Sequence, residues 1–158
     1  MAKRRNYNGM QMNPSPTIVE KAGAAIDDCR NRIMKYDENG DVVLATAGTD
    51  MPIGIAIIEA GYNDITGYES GKAEIGDDID ILVKDMGVAI AGAEIKKGQE
   101  VAAGADGKAV VAASGDYVLG IALTAAAAEE YFHVQIAKYM KSGSAAAAES
   151  DAGEEGTV

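Results

Sequence analysis

The sequence predicts an all-β fold, a compact β-sandwich or barrel built from two related β-units, and three observations predict it. Short runs of Val, Ile and Ala are separated by glycine turns, as in Ile90–Leu123 with turns at Gly92, Gly98, Gly104, Gly107 and Gly115. Strand turns recur roughly every ten residues, the rhythm of sandwiches and barrels. A weaker copy of that stretch lies at Lys21–Ile57: Ala22-Gly23-Ala24 answers Ala91-Gly92-Ala93, Ile26 answers Ile95, and Gly54-Ile55-Ala56 answers Gly120-Ile121-Ala122. The offset drifts only from 69 to 66 residues, so the chain reads as a duplication, with units over about 17–84 and 85–141.

The elements follow in order. Residues 1–16 show no helical or strand period, and Pro14 and Pro16 keep their neighbours extended. We expect an extended arm. Tyr7, Met10 and Met12 give it apolar side chains, and Lys3, Arg4 and Arg5 give it positive charge, so these six are candidate contacts with a partner. Residues 17–35 carry Ile18, Ala22, Ile26, Cys29 and Ile33 at near-helical spacing, but their copy is broken by glycine. The repeat therefore favours strands at Thr17–Glu20 and Arg32–Tyr36 around a turn, with Cys29 in the place of Gly98.

Asp37–Gly40 reads as a turn, Asp41–Ala47 as a strand and Ile53–Ala60 as a buried strand. Gly61–Gly76, rich in glycine and carrying Tyr62 and Tyr68, is answered in the second unit only by Thr124–Glu130. It reads as an inserted excursion, and its two tyrosines are further interface candidates. Asp78–Lys84 closes the first unit as a strand answering Val134–Lys138. In the second unit, strands are expected at Val88–Ala91, around Ile95 and Val101, at Ala109–Ala113, at Tyr117–Leu123 and at Tyr131–Tyr139. The last alternates Phe132, Val134 and Ile136 with Tyr131, His133 and Gln135. The matched Gly-Ile-Ala triplets are expected where the two sheets meet. Residues 142–158 hold four acidic residues, no basic one and no large apolar residue before Val158, which reads as a flexible acidic tail.

Composition narrows the function. Of 158 residues 47% are apolar, yet with one Phe, no Trp and much alanine the core should be thin and should gain from packing between units or with other chains. The net charge of −11 divides into +4 over residues 1–35 and −15 over the remainder. An acidic body argues against direct nucleic-acid binding. A lone cysteine excludes an internal disulfide framework, and no apolar run approaches the roughly 18 residues of a membrane span. With no secretory signal at its start, the sequence reads as a soluble protein made in a reducing cytoplasm.

Chemistry-bearing motifs are scarce. Gly71-Lys72 and Gly107-Lys108 lack the other glycines and the hydroxyl of a phosphate-binding loop. Asp77, Asp78 and Asp80 lack the spacing of a calcium loop and read as a solvated strand edge that discourages aggregation. His133 has no nucleophile at suggestive spacing, and Cys29 sits between acidic and basic neighbours that oppose each other's effect on its thiol. We expect no catalytic residue, no metal site and no cofactor.

The stretch Lys84–Ile136, with its AGAEI turn, GQEV strand, DGK turn, alanine-rich strand, YVLGIAL and closing VQI, resembles the small capsid decoration (cement) proteins of tailed bacteriophages. The likeness covers about a third of the chain well and, through the repeat, about three quarters loosely. It implies a β-rich protein that binds the major capsid protein on the outside of an assembled head, stabilises that head, and clusters as a homo-oligomer, a trimer being favoured. The longer arm, the excursion and the acidic tail depart from the pattern. The alternative, of another class, is a small β-rich module that binds carbohydrate or a host partner.

Overall fold

The computed structural model describes residues 16–57 and 71–143. Within them the chain is all-β: β1 Thr17–Lys21, β2 Ile33–Tyr36, β3 Val42–Leu44, β4 Gly54–Ala56, β5 Asp78–Leu82, β6 Met86–Ile90, β7 Glu100–Ala103, β8 Ala109–Val111, β9 Tyr117–Ala122 and β10 Tyr131–Met140. One short 3-10 turn, Ala105–Gly107, takes the place of the expected DGK turn. No helix forms over residues 17–35. The near-helical spacing there comes from a strand, a bend and a second strand, whose backbone groups bond across the sheet.

The two five-stranded antiparallel sheets share one topology, β1-β5-β4-β2-β3 and β6-β10-β9-β7-β8. In each, the chain just after the first strand returns to the last strand of the sheet. Ala22 bridges Val42 and Ala91 bridges Ala109, with Gly23 N–H donating to Val42 O at 2.8 Å and Gly92 N–H to Ala109 O at 2.7 Å. Each sheet thus curls until its ends meet, which lowers the exposure of unpaired edges.

Hydrogen bonds align the copies residue by residue and correct two expectations. Asn31 N–H donates to Ala56 O at 2.8 Å, as Gly98 N–H does to Ala122 O at 2.7 Å, so Gly98 corresponds to Asn31 and not to Cys29. Both stand at positive φ, 58° and 86°, which asparagine tolerates better than other non-glycine residues. The first copy has two more residues in this turn, which spacing alone misplaced. At the other end, Val83 N–H donates to Pro16 O as Ile136 N–H does to Asp85 O. The counterpart of β5 is therefore Tyr131–Gln135, and β10 runs on five residues further.

The Ile26–Ala73 bridge matches the Ile95–Ala126 bridge, so the described part of the excursion, Gly71–Gly76, belongs to the shared frame. The surplus of the first copy is residues 58–70, outside the described residues. Of the expected strand Ile53–Ala60, Gly54–Ala56 forms β4, Ile53 and Ile57 on either side still donate to Met34 O and Asp80 O, and residues 58–60 lie outside the described residues. Asp78 and Asp80 are not on an edge: β5 lies between β1 and β4, and Asp78 is ion-paired with Lys21 on the neighbouring strand at 2.6 Å.

The core is rich in alanine, with Phe132, Ile79, Ile81, Leu119 and Val134 as its larger members. Such small side chains let the curled sheets close tightly. The first unit keeps its own cluster around Met34, Val42, Ile79 and Ile81. Its Ile33, Ala45 and Ile55 instead join the second unit's cluster. Of the two Gly-Ile-Ala triplets, Gly54–Ala56 lies at the seam as expected, through Ile55, whereas Ile121 of the second is exposed, and the glycines themselves have a separate role. A Cβ at Gly54 would lie 2.0 Å from Leu82 O, and one at Gly120 would lie 2.0 Å from Gln135 O, so each glycine permits close approach within its own sheet. Next to Gly120, β10 carries an irregularity in register between Ile136 and Tyr139.

Candidate interaction surface

The candidate contacts Lys3, Arg4, Arg5, Tyr7, Met10, Met12, Tyr62 and Tyr68 all lie outside the described residues. What the structure places is the body's own surface, and its features arise where the two units join.

The seam is held by directed bonds. Asn31, 7% exposed, is a buried polar residue whose side chain donates to Val88 O at 3.0 Å, while Ile90 N–H donates to Asn31 O at 3.2 Å. Arg32 Nη1 donates to Asp106 O at 3.0 Å, and Tyr117 N–H donates to Gly48 O at 2.7 Å. Lys138 Nζ crosses from β10 to donate to Ile53 O at 2.6 Å, and burial of that ammonium lowers its pKa. Loss of the bond from the buried Asn31 amide would carry a desolvation cost, and together with the more exposed bonds it fixes how the units sit.

Beside Lys138 the seam opens into an apolar groove of about 290 Å³, lined by Met51, Pro52, Tyr117, Tyr139 and Met140. Met51 is 65% and Met140 59% exposed, which leaves two flexible, polarizable side chains for a partner. Tyr139 is anchored at the groove's rim: its hydroxyl donates to Glu100 Oε1, and Lys141 Nζ pairs with Glu100 Oε2 at 2.6 Å. The hydrogen bonds from Lys141 and then Tyr139 hold the Glu100 carboxyl below its usual pKa, while the Tyr139 hydroxyl is raised by its bond to Glu100. On the first unit, burial of Asp50 opposes its ionisation, but Lys35 at 2.7 Å and the N–H groups of Thr46 and Ala47 outweigh it and the pKa falls.

A second apolar hollow, about 390 Å³, lies along the seam between Ile55, Ile57, Leu82, Val88 and Tyr131. Neither cavity brings together a nucleophile, a base and an orienting group. His133 is exposed on β10 and its backbone N–H donates to Thr124 Oγ1 at 3.0 Å. Cys29 is fully buried, which pushes its thiol up to about 11 and keeps it protonated. Among the described residues, no three of the His, Cys, Asp and Glu side chains are placed to hold a metal. The arrangement suits contact with apolar protein surface.

The groove was missed in the sequence because Met51-Pro52 and Tyr139-Met140 lie 85 or more residues apart and meet only once the units dock. A methionine in the polar turn Gly48–Pro52 was the one available signal.

No protein-family model matches the chain, and no curated protein matches it. Among solved structures the fold is similar to the head fiber gp8.5 N base in bacteriophage phi29, at a TM-score of 0.56 and 21% identity, covering 77% of this chain and 92% of that one.

Proposed function

We propose that this chain is a structural protein of a tailed-phage head, a decoration (cement) protein that binds the outer surface of the assembled major capsid protein lattice and stabilises it. The observation that carries the reading is the shared fold with the base of a phage head fiber over most of both chains. The resemblance of Lys84–Ile136 to decoration proteins supports it independently. In this reading the protein is not an enzyme, acts without cofactor or metal, works on the virion exterior after synthesis in the host cytoplasm, and clusters on the capsid as a homo-oligomer, a trimer being favoured.

Residues 1–16 supply one contact, with Lys3, Arg4 and Arg5 meeting acidic groups and Tyr7, Met10 and Met12 meeting apolar ones, by strand addition to an exposed sheet edge. Tyr62 and Tyr68 supply a second, and the Met51–Met140 groove a third. Binding only the assembled lattice stabilises it by mass action, and many copies sum modest energies. The test is cosedimentation with assembled shells of two variants, one lacking residues 1–16 and one carrying Met51→Asp with Met140→Asp. Each is expected to lose at least ~10-fold in affinity, as for truncated interface anchors, with an unchanged circular dichroism spectrum. Undiminished binding of both variants would refute these contacts.

A further inference from the structure

The internal repeat lets every surface of one unit be compared with its counterpart in the other, and the comparison is lopsided. In the first sheet the row Thr17–Leu82–Ile55–Ile33 runs across neighbouring strands. Its counterpart in the second sheet is the row Met86–Gln135–Ile121–Glu100. The first row is covered by the second unit. Ile33 and Ile55 are 0% and 1% exposed, and a Cβ at Gly87 of β6 would lie 2.7 Å from Leu82 and 3.3 Å from Ile55. The second row is more open, with Met86 64% and Ile121 38% exposed, Gln135 half-buried, and the half-buried Glu100 held by Tyr139 and Lys141.

The covering edge shows the same asymmetry. Val88 of β6 takes the Asn31 bond and lines the seam, while its counterpart Val19 on β1 is 58% exposed. A Cβ at Gly107 would lie 3.0 to 3.1 Å from Arg32, Ile33 and Leu44 of the first unit, whereas one at its counterpart Gly40 would meet no described atom within 4 Å. Asn31 bonds across the seam, whereas Gly98, which replaces it, faces open space among the described residues. Among the described residues, each half of the internal contact therefore has a less covered equivalent elsewhere on the same chain: a face on the second unit and an edge on the first.

We propose that the Met86–Gln135–Ile121–Glu100 face of one chain receives the β1 edge around Val19 of a second copy, repeating between chains the contact already made within each. Because face and edge are different surfaces, the contact is head-to-tail, and it generates a closed ring or a filament and not a two-fold dimer. Gln135 and Glu100 stand where the buried row has Leu82 and Ile33. The open face thus keeps a lone chain in solution and gives a weaker contact than the internal one. This inference does not depend on capsid binding, since it concerns the free chain.

The experiment is sedimentation velocity of the full chain over a concentration series, with Val19→Glu, Ile121→Lys and their equimolar mixture. Wild type is expected to gain mass with concentration. Each single variant should associate at least ~10-fold more weakly, the effect of charging an interface centre, and the mixture should regain association as the unaltered face of the Val19→Glu chain receives the unaltered edge of the Ile121→Lys chain. Both positions are exposed, so melting temperatures should stay near wild type; if either falls, Val19→Ser and Ile121→Ser replace them with the same expected loss. A wild type that remains monomeric throughout overturns the proposal, including the case in which Ile121→Lys lowers binding to shells. So does a Val19→Glu variant that associates like wild type, which would mean that the face pairs with itself or with another surface.

Discussion

A methyl group added at Gly120 would have to share space with the Gln135 carbonyl oxygen, and one at Gly54 would meet the Leu82 carbonyl in the same way. Neither carbonyl can move without disturbing a strand. Gly120→Ala is therefore expected to lower stability by about 3 kcal/mol or more in a denaturant titration, in the range of overpacking and backbone displacement. Gly98→Ala, at positive φ but in open space among the described residues, should cost only about 1–2 kcal/mol. Titratable residues give a second expectation. Asp50 and Glu100 have folded pKa values below their ordinary values of 3.8 and 4.5. Their stabilisation is thus complete above those values and is lost as pH falls through the folded ones. The melting temperature should fall as pH drops below about 4, and Asp50→Asn should lower it at pH 7 while flattening that fall. The repeat made the Gly-Ile-Ala glycines conspicuous in sequence. Their reason was not legible, because the carbonyls they admit belong to strands 15 or more residues away.

Among the elements, β10 was the most legible. Its alternation places Phe132, Val134 and Ile136 at 1%, 0% and 8% exposure, with Tyr131 and His133 outward. Phe132→Ala should cost about 3–5 kcal/mol, whereas His133→Ala should stay within about 0.5 kcal/mol of wild type, both by calorimetry. The strands at Thr17–Lys21 and Ile33–Tyr36 were legible only through the copy, since their own spacing looked helical. The turn between them misled because Asp27–Arg30 holds two more residues than Lys96-Lys97. Asp28 and Arg30 fill that length with a paired fork at 2.7 and 2.8 Å, and the Arg30 bond lowers the Asp28 pKa. Asp78 and Asp80 looked like edge charges because strand order is not written in local pattern. Only pairing with β1 and β4 reveals β5 as interior.

At the scale of the whole molecule, two copies of one small curled sheet pack unequally, and that inequality produces the surface. The seam between them creates the Met51–Met140 groove, buries Asn31 and, among the described residues, leaves Ile121 and Val19 exposed where their counterparts Ile55 and Val88 are covered. Composition had indicated a thin core, and alanine supplies 12 of the 28 buried apolar residues among those described. The identity of a partner was not legible in composition, since a −15 body and a +4 amino end fit many surfaces. Binding to an assembled lattice is the central claim, and titration of the full chain onto assembled major capsid protein shells from the genome that encodes it tests it most directly. The account predicts saturable cosedimentation with assembled shells, none with unassembled capsid protein, and shells that withstand higher temperature when saturated. A chain that stays in the supernatant at every concentration, or that leaves shell stability unchanged once bound, would contradict it.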